Sequence, residues 1–241
     1  KAAETTSLKR VTKDQMVFKA ARKGKLDRLR QLIDDGANID IVDEQGQTPL
    51  FLTAKYGHAD CLEELLFSVA QFTPTNNYFS PLHAATAGGH VKCLELLLAE
   101  GAQVNCSDIQ DRTPLHIAAA HEQVQAMIVL LKKGAFVHVV DTQRRSPLHY
   151  AAARGNTTLL KLLLDVGAPR RGTDIFGNTA CNLAVLNNHK DAVQLLNDHG
   201  LSIFEFMQAS DRATQPEIGS HRTPLKPLST LLMVKKDATT N

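Results

Sequence analysis

The chain has 241 residues, 43% apolar and 5% aromatic, with 14 glycines, 9 prolines and no tryptophan; this excludes collagen-like and low-complexity classes and leaves enough apolar side chains for one or two packed domains. Its longest aliphatic run, Ala126 to Leu131, is too short to cross a bilayer, and Lys1 to Lys13 holds no apolar stretch fit for a signal peptide. The net charge is +2, but residues 1–30 carry +7 and the remainder −5, so a basic amino-terminal end joins a mildly acidic body.

Four cysteines, Cys61, Cys93, Cys106 and Cys181, do not make a disulfide framework in a chain of this size. They predict a reducing compartment, intracellular, in the cytoplasm or the nucleus. The chain starts with Lys rather than Met, so a segment of a longer protein is expected. Residues 1–11 read as a basic amino-terminal extension, which favours an acidic partner or is a solvated surface.

From residue 12 a repeat organises the chain. Thr48-Pro49-Leu50 returns as Ser80-Pro81-Leu82-His83, Thr113-Pro114-Leu115-His116 and Ser146-Pro147-Leu148-His149, with a worn copy at Thr179-Ala180-Cys181-Asn182. The spacing is 32 residues once and 33 thereafter. A degenerate first copy places Val17-Phe18 in the Leu-His slots and Ala20-Ala21 in the slots of the later small pairs. Ser or Thr caps a helix and Pro suits its first position, where no intrahelical donor is needed. Small pairs such as Ala118-Ala119 admit a neighbouring helix. Gly24, Gly57, Gly89 and Gly155 end the short first helix in the left-handed region. A second helix follows, with apolar spacing such as Val91, Leu94, Leu97 and Leu98. Gly36, Gly101, Gly134, Gly167 and Gly200 end it, and Asp43, Asp108, Asp141 and Asp174 open the next turn.

The spacing predicts repeats at about 12–42, 43–74, 75–107, 108–140, 141–173 and 174–206. Repeat 2 is one residue short and has Val69-Ala70 where Gly-Ala is expected, so the loop from Gln71 to Phe79 should be irregular. Repeat 4 carries Glu122 in the slot of the first-helix glycine, which predicts strain or another cap there. Repeat 6 loses Pro, Leu and His, and Asn197 replaces an aliphatic residue, as suits a terminal unit. Residues 207–241 fall out of register. With Pro216, Pro224, Pro227 and the apolar run Leu228 to Val234, they read as an irregular tail holding one short sticky element.

One such unit cannot bury its own apolar face, whereas stacked units bury a continuous ribbon. The period near 33, the Thr-Pro-Leu-His-x-Ala pattern and the closing Gly-Ala resemble ankyrin repeats. The resemblance covers about residues 12–206. It implies an all-α solenoid of about six helix-turn-helix units joined by β-turn or hairpin loops.

No catalytic constellation stands out. There is no phosphate-binding glycine loop, no nucleophile elbow and no zinc-protease signature. His83, His116 and His149 form an array only because the repeat does, and the resemblance implies that they are structural hydrogen-bonding residues. His58 and His90 are read in the same way. Cys61 and Cys93 share a slot of adjacent second helices without a second pair to complete a zinc site. No cofactor is expected. Asn105 occupies the slot that an asparaginyl hydroxylase modifies in similar repeats, although Gln103 stands where an acidic residue is usual.

The resemblance implies a noncatalytic interaction module, an adaptor or scaffold, that binds a partner segment in a concave groove of turn tips and first helices. The expected contact residues are Lys55, Tyr56, Tyr78, Phe79, Arg112, Arg144, Arg145, Arg154 and Phe176. Arginines beside exposed aromatics have hot-spot composition, and they predict an acidic or extended peptide segment on repeats 2 to 5. Phe79 has a second reading, as local core under the irregular loop. Two other functions stay open. The segment would regulate or target an enzyme whose catalytic part lies outside it, or its basic end would hold nucleic acid or anionic lipid. The residues fix neither the oligomeric state nor the partner.

Overall fold

The structure, a computed structural model, describes residues 13–68, 70 and 78–198. The predicted extension at 1–11, the closing Gly200 and the 207–241 tail lie outside the described residues. Among the described residues, twelve helices run in six consecutive pairs: α1 (Lys13–Lys23) and α2 (Leu26–Asp34); α3 (Pro49–Tyr56) and α4 (Ala59–Phe67); α5 (Pro81–Ala87) and α6 (Val91–Ala99); α7 (Pro114–Ala120) and α8 (Val124–Lys132); α9 (Pro147–Arg154) and α10 (Thr157–Asp165); α11 (Ala180–Leu186) and α12 (Lys190–Asp198). First helices stack on first helices, and second helices on second helices. The core is the ribbon between them, filled by Leu50, Leu62, Leu82, Leu94, Leu97, Leu115, Met127, Leu148 and Leu163.

Each first helix starts as its sequence dictates. Thr48, Ser80, Thr113, Ser146 and Thr179 are N-caps on extended backbone, and a proline follows the first four. The Thr48 hydroxyl accepts the Phe51 amide, and the Thr179 hydroxyl accepts the Asn182 amide. Each cap satisfies one of the donors that a helix start leaves without an intrahelical partner. Second helices close in one manner. Ala37, Ala102, Ala135 and Ala168 donate their amides back to Leu32, Leu97, Leu130 and Leu163. Ala70 does the same to Leu65, so repeat 2 closes its helix although it lacks the glycine of the other units.

The turn after each first helix explains both the glycines and the exception at Glu122. Gly57 has φ 75°, and a Cβ there would lie 2.5 Å from His90 Nδ1. Gly155 has φ 70°, and a Cβ there would run into the His189 ring. The glycine therefore supplies a left-handed turn and leaves room for a cap from the next repeat. In repeat 4, Glu122 takes φ 58° itself. The following repeat has the shorter Asn156 in the position of those histidines, and its carboxamide donates to Glu122 Oε2 at 3.2 Å.

A prediction follows from this pairing. Gly57→Ala should cost about 2 kcal/mol or more, from left-handed strain and displacement of His90. Glu122→Gly should gain up to about 1 kcal/mol, because the left-handed strain is released and the bond from Asn156 that is lost with the side chain is solvent-exposed. Urea melts of the two variants check this. Shifts of the same sign would overturn the account.

The turn tips are hairpins built on aspartate. Asp108 Oδ1 accepts the amides of Gln110 and Arg112, Asp141 Oδ1 those of Gln143 and Arg145, and Asp174 Oδ1 those of Phe176 and Asn178. Successive tips are joined by Thr142 N to Gln110 O and Ile175 N to Gln143 O, both at 3.0 Å.

Candidate functional site

Two hydrogen-bond ladders tie the repeats and account for most of the histidines. In the first, Nδ1 of His83, His116 and His149 accepts the backbone amide of Ser80, Thr113 and Ser146. Nε2 therefore carries the proton. It donates across the repeat boundary to Arg112 O at 2.9 Å, Arg145 O at 3.0 Å and Gly172 O at 3.0 Å. Burial pushes all three imidazoles below their ordinary pKa, His116 to about 4.

The second ladder caps the C-terminal ends of first helices. His58 Nε2 donates to Arg22 O, His90 to Lys55 O, Gln123 to Ala87 O and His189 to Ala153 O, at 3.1 to 3.3 Å. These carbonyls lack intrahelical donors. The first helix of repeat 4 ends in Ala120, and its cap comes instead from Arg154 Nε at 2.9 Å. Arg154 thus does what a histidine does elsewhere. The Arg154 guanidinium, expected at the partner surface, is thus tied into the array through Nε.

Arg112 and Arg145 face carboxylates of the array as well. Arg112 Nη2 lies 2.7 Å from Asp108 Oδ2, a carboxylate whose side chain is 2% exposed. Burial alone would raise the Asp108 pKa, but the Arg112 guanidinium and the two turn amides outweigh it and hold the carboxyl below its ordinary range. Arg145 Nε sits 3.6 Å from the buried Asp174 Oδ2, close enough to stabilise the charge and too far for a hydrogen bond. Both arginines therefore neutralise aspartates that the hairpins need. Arg112→Met should destabilise the chain by about 1.5–3 kcal/mol by stripping a buried carboxylate of its cation. Thermal melts that coincide with wild type would refute this.

Other candidates remain exposed. Arg144 takes φ 58° at its tip and points no charge at a carboxylate within ion-pair distance among the described residues. Phe176 is 70% exposed at the tip of repeat 6, beside the exposed Ile175. Tyr78 is 62% exposed and lines a recess of about 370 Å³ with Ser80, Leu82, Ala102 and Cys106. Phe79 turns elsewhere. Its ring meets Phe51 edge-on at 6.4 Å and His83 at 5.0 Å. It packs on the buried Ala21, Phe51, Leu52 and Ala84 while lining an open groove. Phe79 is thus both local core and groove wall.

That groove, about 520 Å³, is lined by Gln45, Gln47, Phe51, Lys55, Phe79, Ala84, Ala87 and Gly88. At its edge Tyr56 carries two cations. Arg22 Cζ lies 5.9 Å and Lys55 Nζ 5.7 Å from the ring centroid, within cation–π range. Neither Phe51 nor Ala84 was expected in the site. The signal was available: Ala84 stands in the slot of Leu52, Ile117, Tyr150 and Leu183.

Three of the thiols sit where burial favours the neutral form. Burial pushes Cys61 up, Cys93 up to about 11, and Cys106 up despite a Ser80 hydroxyl 3.3 Å away. Among the described residues, no group of three or more His, Cys, Asp or Glu could hold a metal ion, and no helix is long and apolar enough to cross a membrane. Asn105 bridges to the next repeat, its Oδ1 accepting Phe136 N at 2.9 Å and its Nδ2 donating to Gly134 O at 3.4 Å.

A family model described as ankyrin repeats, three copies, matches the chain over residues 17–108, 70–141 and 115–206.

Proposed function

The chain belongs to the ankyrin-repeat family, whose members are in general protein–protein interaction modules, and from that premise we propose that it is a noncatalytic adaptor or scaffold. The array runs over residues 12–206, with 1–11 and 207–241 flanking it. It binds an acidic, extended segment of another protein on the face made by its first helices and hairpin tips. The observation that carries this reading is the coincidence on that face of an open, partly apolar groove with cations that no carboxylate neutralises among the described residues. Lys55 and Tyr56 sit at the groove, and Arg144 and Phe176 extend the contact along the tips. On the second helices Arg30 and Lys92 are paired with Glu64 and Asp60 of neighbouring helices. Apolar contact would supply affinity, and the cations would steer association.

The test places a photo-cross-linking residue at Gln45, on the first-helix face, or at Phe67, on the second-helix face. A partner captured from Gln45 and not from Phe67 is the expected result, and its capture should weaken when Arg144 is reversed to Glu. Capture from Phe67 alone would overturn the reading.

A further inference from the structure

We propose that repeats 1 to 3 form a two-part receptor for an acidic linear peptide: a carboxylate seats between Arg22 and Lys55, and an adjacent bulky apolar side chain fills the groove between Phe51, Phe79, Ala84 and Ala87. This rests on the reading above and narrows it to one site and one ligand chemistry.

The carboxylate half follows from two cations that share one aromatic ring. Arg30, Lys92 and Arg112 each have a carboxylate oxygen at 2.6 to 3.0 Å. Arg22 and Lys55 come from adjacent first helices, α1 and α3, and are brought onto one tyrosine ring. No carboxylate lies within ion-pair distance of either among the described residues. An incoming carboxylate supplies the missing counter-charge. It pairs with the fork of Arg22 and the point charge of Lys55, and Tyr56 keeps water from one side.

The apolar half follows from a deletion of bulk. Repeat 3 has Ala84, Ala87 and Gly88 where repeat 5 has Tyr150, Ala153 and Arg154, and where repeat 2 has Leu52, Lys55 and Tyr56. A Cβ at Gly88 would crowd the His90 ring as it is placed here. Ala84 and Ala87 are not so constrained. They leave a groove in the size range of ligand pockets, with Phe51 and Phe79 as walls. Gln45 and Gln47 at its lip offer carboxamides to the main chain of an extended segment. Lys55 belongs to both halves. At about 3.3 Å per extended residue, acid and apolar anchor are therefore neighbours or next-neighbours in the ligand.

The probe is a phage-displayed library of random twelve-residue peptides, panned on the whole chain. Enriched peptides are then synthesised with a fluorophore and titrated by anisotropy. The expected motif is Asp or Glu within two positions of Leu, Ile or Phe. Affinity should fall at least tenfold for the Arg22→Ala/Lys55→Ala variant and for Ala87→Leu, which fills the groove from the half-buried end of α5. Exchanging the peptide's acid for its amide should cause the same loss in the wild type and little further loss in the double variant. That cycle keeps the proposal testable even if Ala87→Leu folds poorly. Enriched peptides lacking an acid, affinities unmoved by these variants, or no enrichment would overturn the site. If affinity collapses instead on Arg144→Glu, the first-helix face stands and this site falls. If only Phe67→Asp changes binding, both fall.

Discussion

Leu97→Ala and Leu163→Ala each lower the unfolding free energy by about 2–5 kcal/mol in urea melts. Both leucines are fully buried, on α6 and α10, between second helices of adjacent repeats and the first helix of their own. Truncation removes three carbons from a packed ribbon and leaves a cavity that two rigid helices cannot close. Position along the array adds a second effect. A repeat protein is held by nearest-neighbour interfaces, so a break in the middle uncouples two halves. Leu196 on α12 is also buried, but it lies in the last described pair. Leu196→Ala should let that pair fray while the rest persists, with a smaller loss and a broader transition. Losses below half a kcal/mol at Leu97 or Leu163 would mean that the second helices are stacked in another register.

Much of this architecture could be read from the chain because its anchors are local. Ser or Thr, then Pro, Leu and His, encode a cap, a first helical residue, a core leucine and a cross-repeat donor within four positions, and Ser80 to His83 do all four. The candidate site was less legible, because its charges are decided between repeats. Arg154 looks free until Glu122 is seen to have removed the glycine and Asn156 to have shortened the usual cap. Arg112 lies four residues after Asp108, a spacing that within a hairpin closes on itself. Reading each variable position alone hides that pairing. The groove escaped for the opposite reason. It comes from a side chain that is missing at Ala84, and a search for chemistry-bearing residues passes over alanine.

Acidification should weaken the array between pH 6.5 and about 4, and His116 should be the largest single cause. Its imidazole is fully buried between repeats 4 and 5, and desolvation pushes its pKa from an ordinary 6.5 to about 4, against the opposing pull of its bond to the Arg145 carbonyl. The unfolded chain therefore takes up this proton first. The stability the neutral ring contributes is complete above pH 6.5 and is lost as pH falls towards 4, a total of about 3 kcal/mol. His83 and His149 are shifted in the same direction, with burial as the first cause, and add to the same window. The carboxylates act elsewhere. Asp108 and Asp174 are held below their ordinary range by hydrogen bonds and by arginine although burial opposes it. Their contribution persists above the unfolded carboxyl value and fades only below about pH 4. Repeat 6 supplies the control. Asn182 stands in the histidine slot and accepts the Thr179 amide at 3.0 Å, so His116→Asn should keep the cap and lose only the bond across the repeat boundary. At pH 7.5 that variant should be less stable by about 1–3 kcal/mol. By pH 5 the difference should shrink by about 2 kcal/mol, because only the wild type has a ring here that the unfolded chain protonates and the folded chain keeps neutral. Urea melts of both proteins at pH 7.5, 6 and 5 decide the matter. A stability gap that stays constant across that range would mean that His116 is not the group whose burial makes the repeats acid-sensitive.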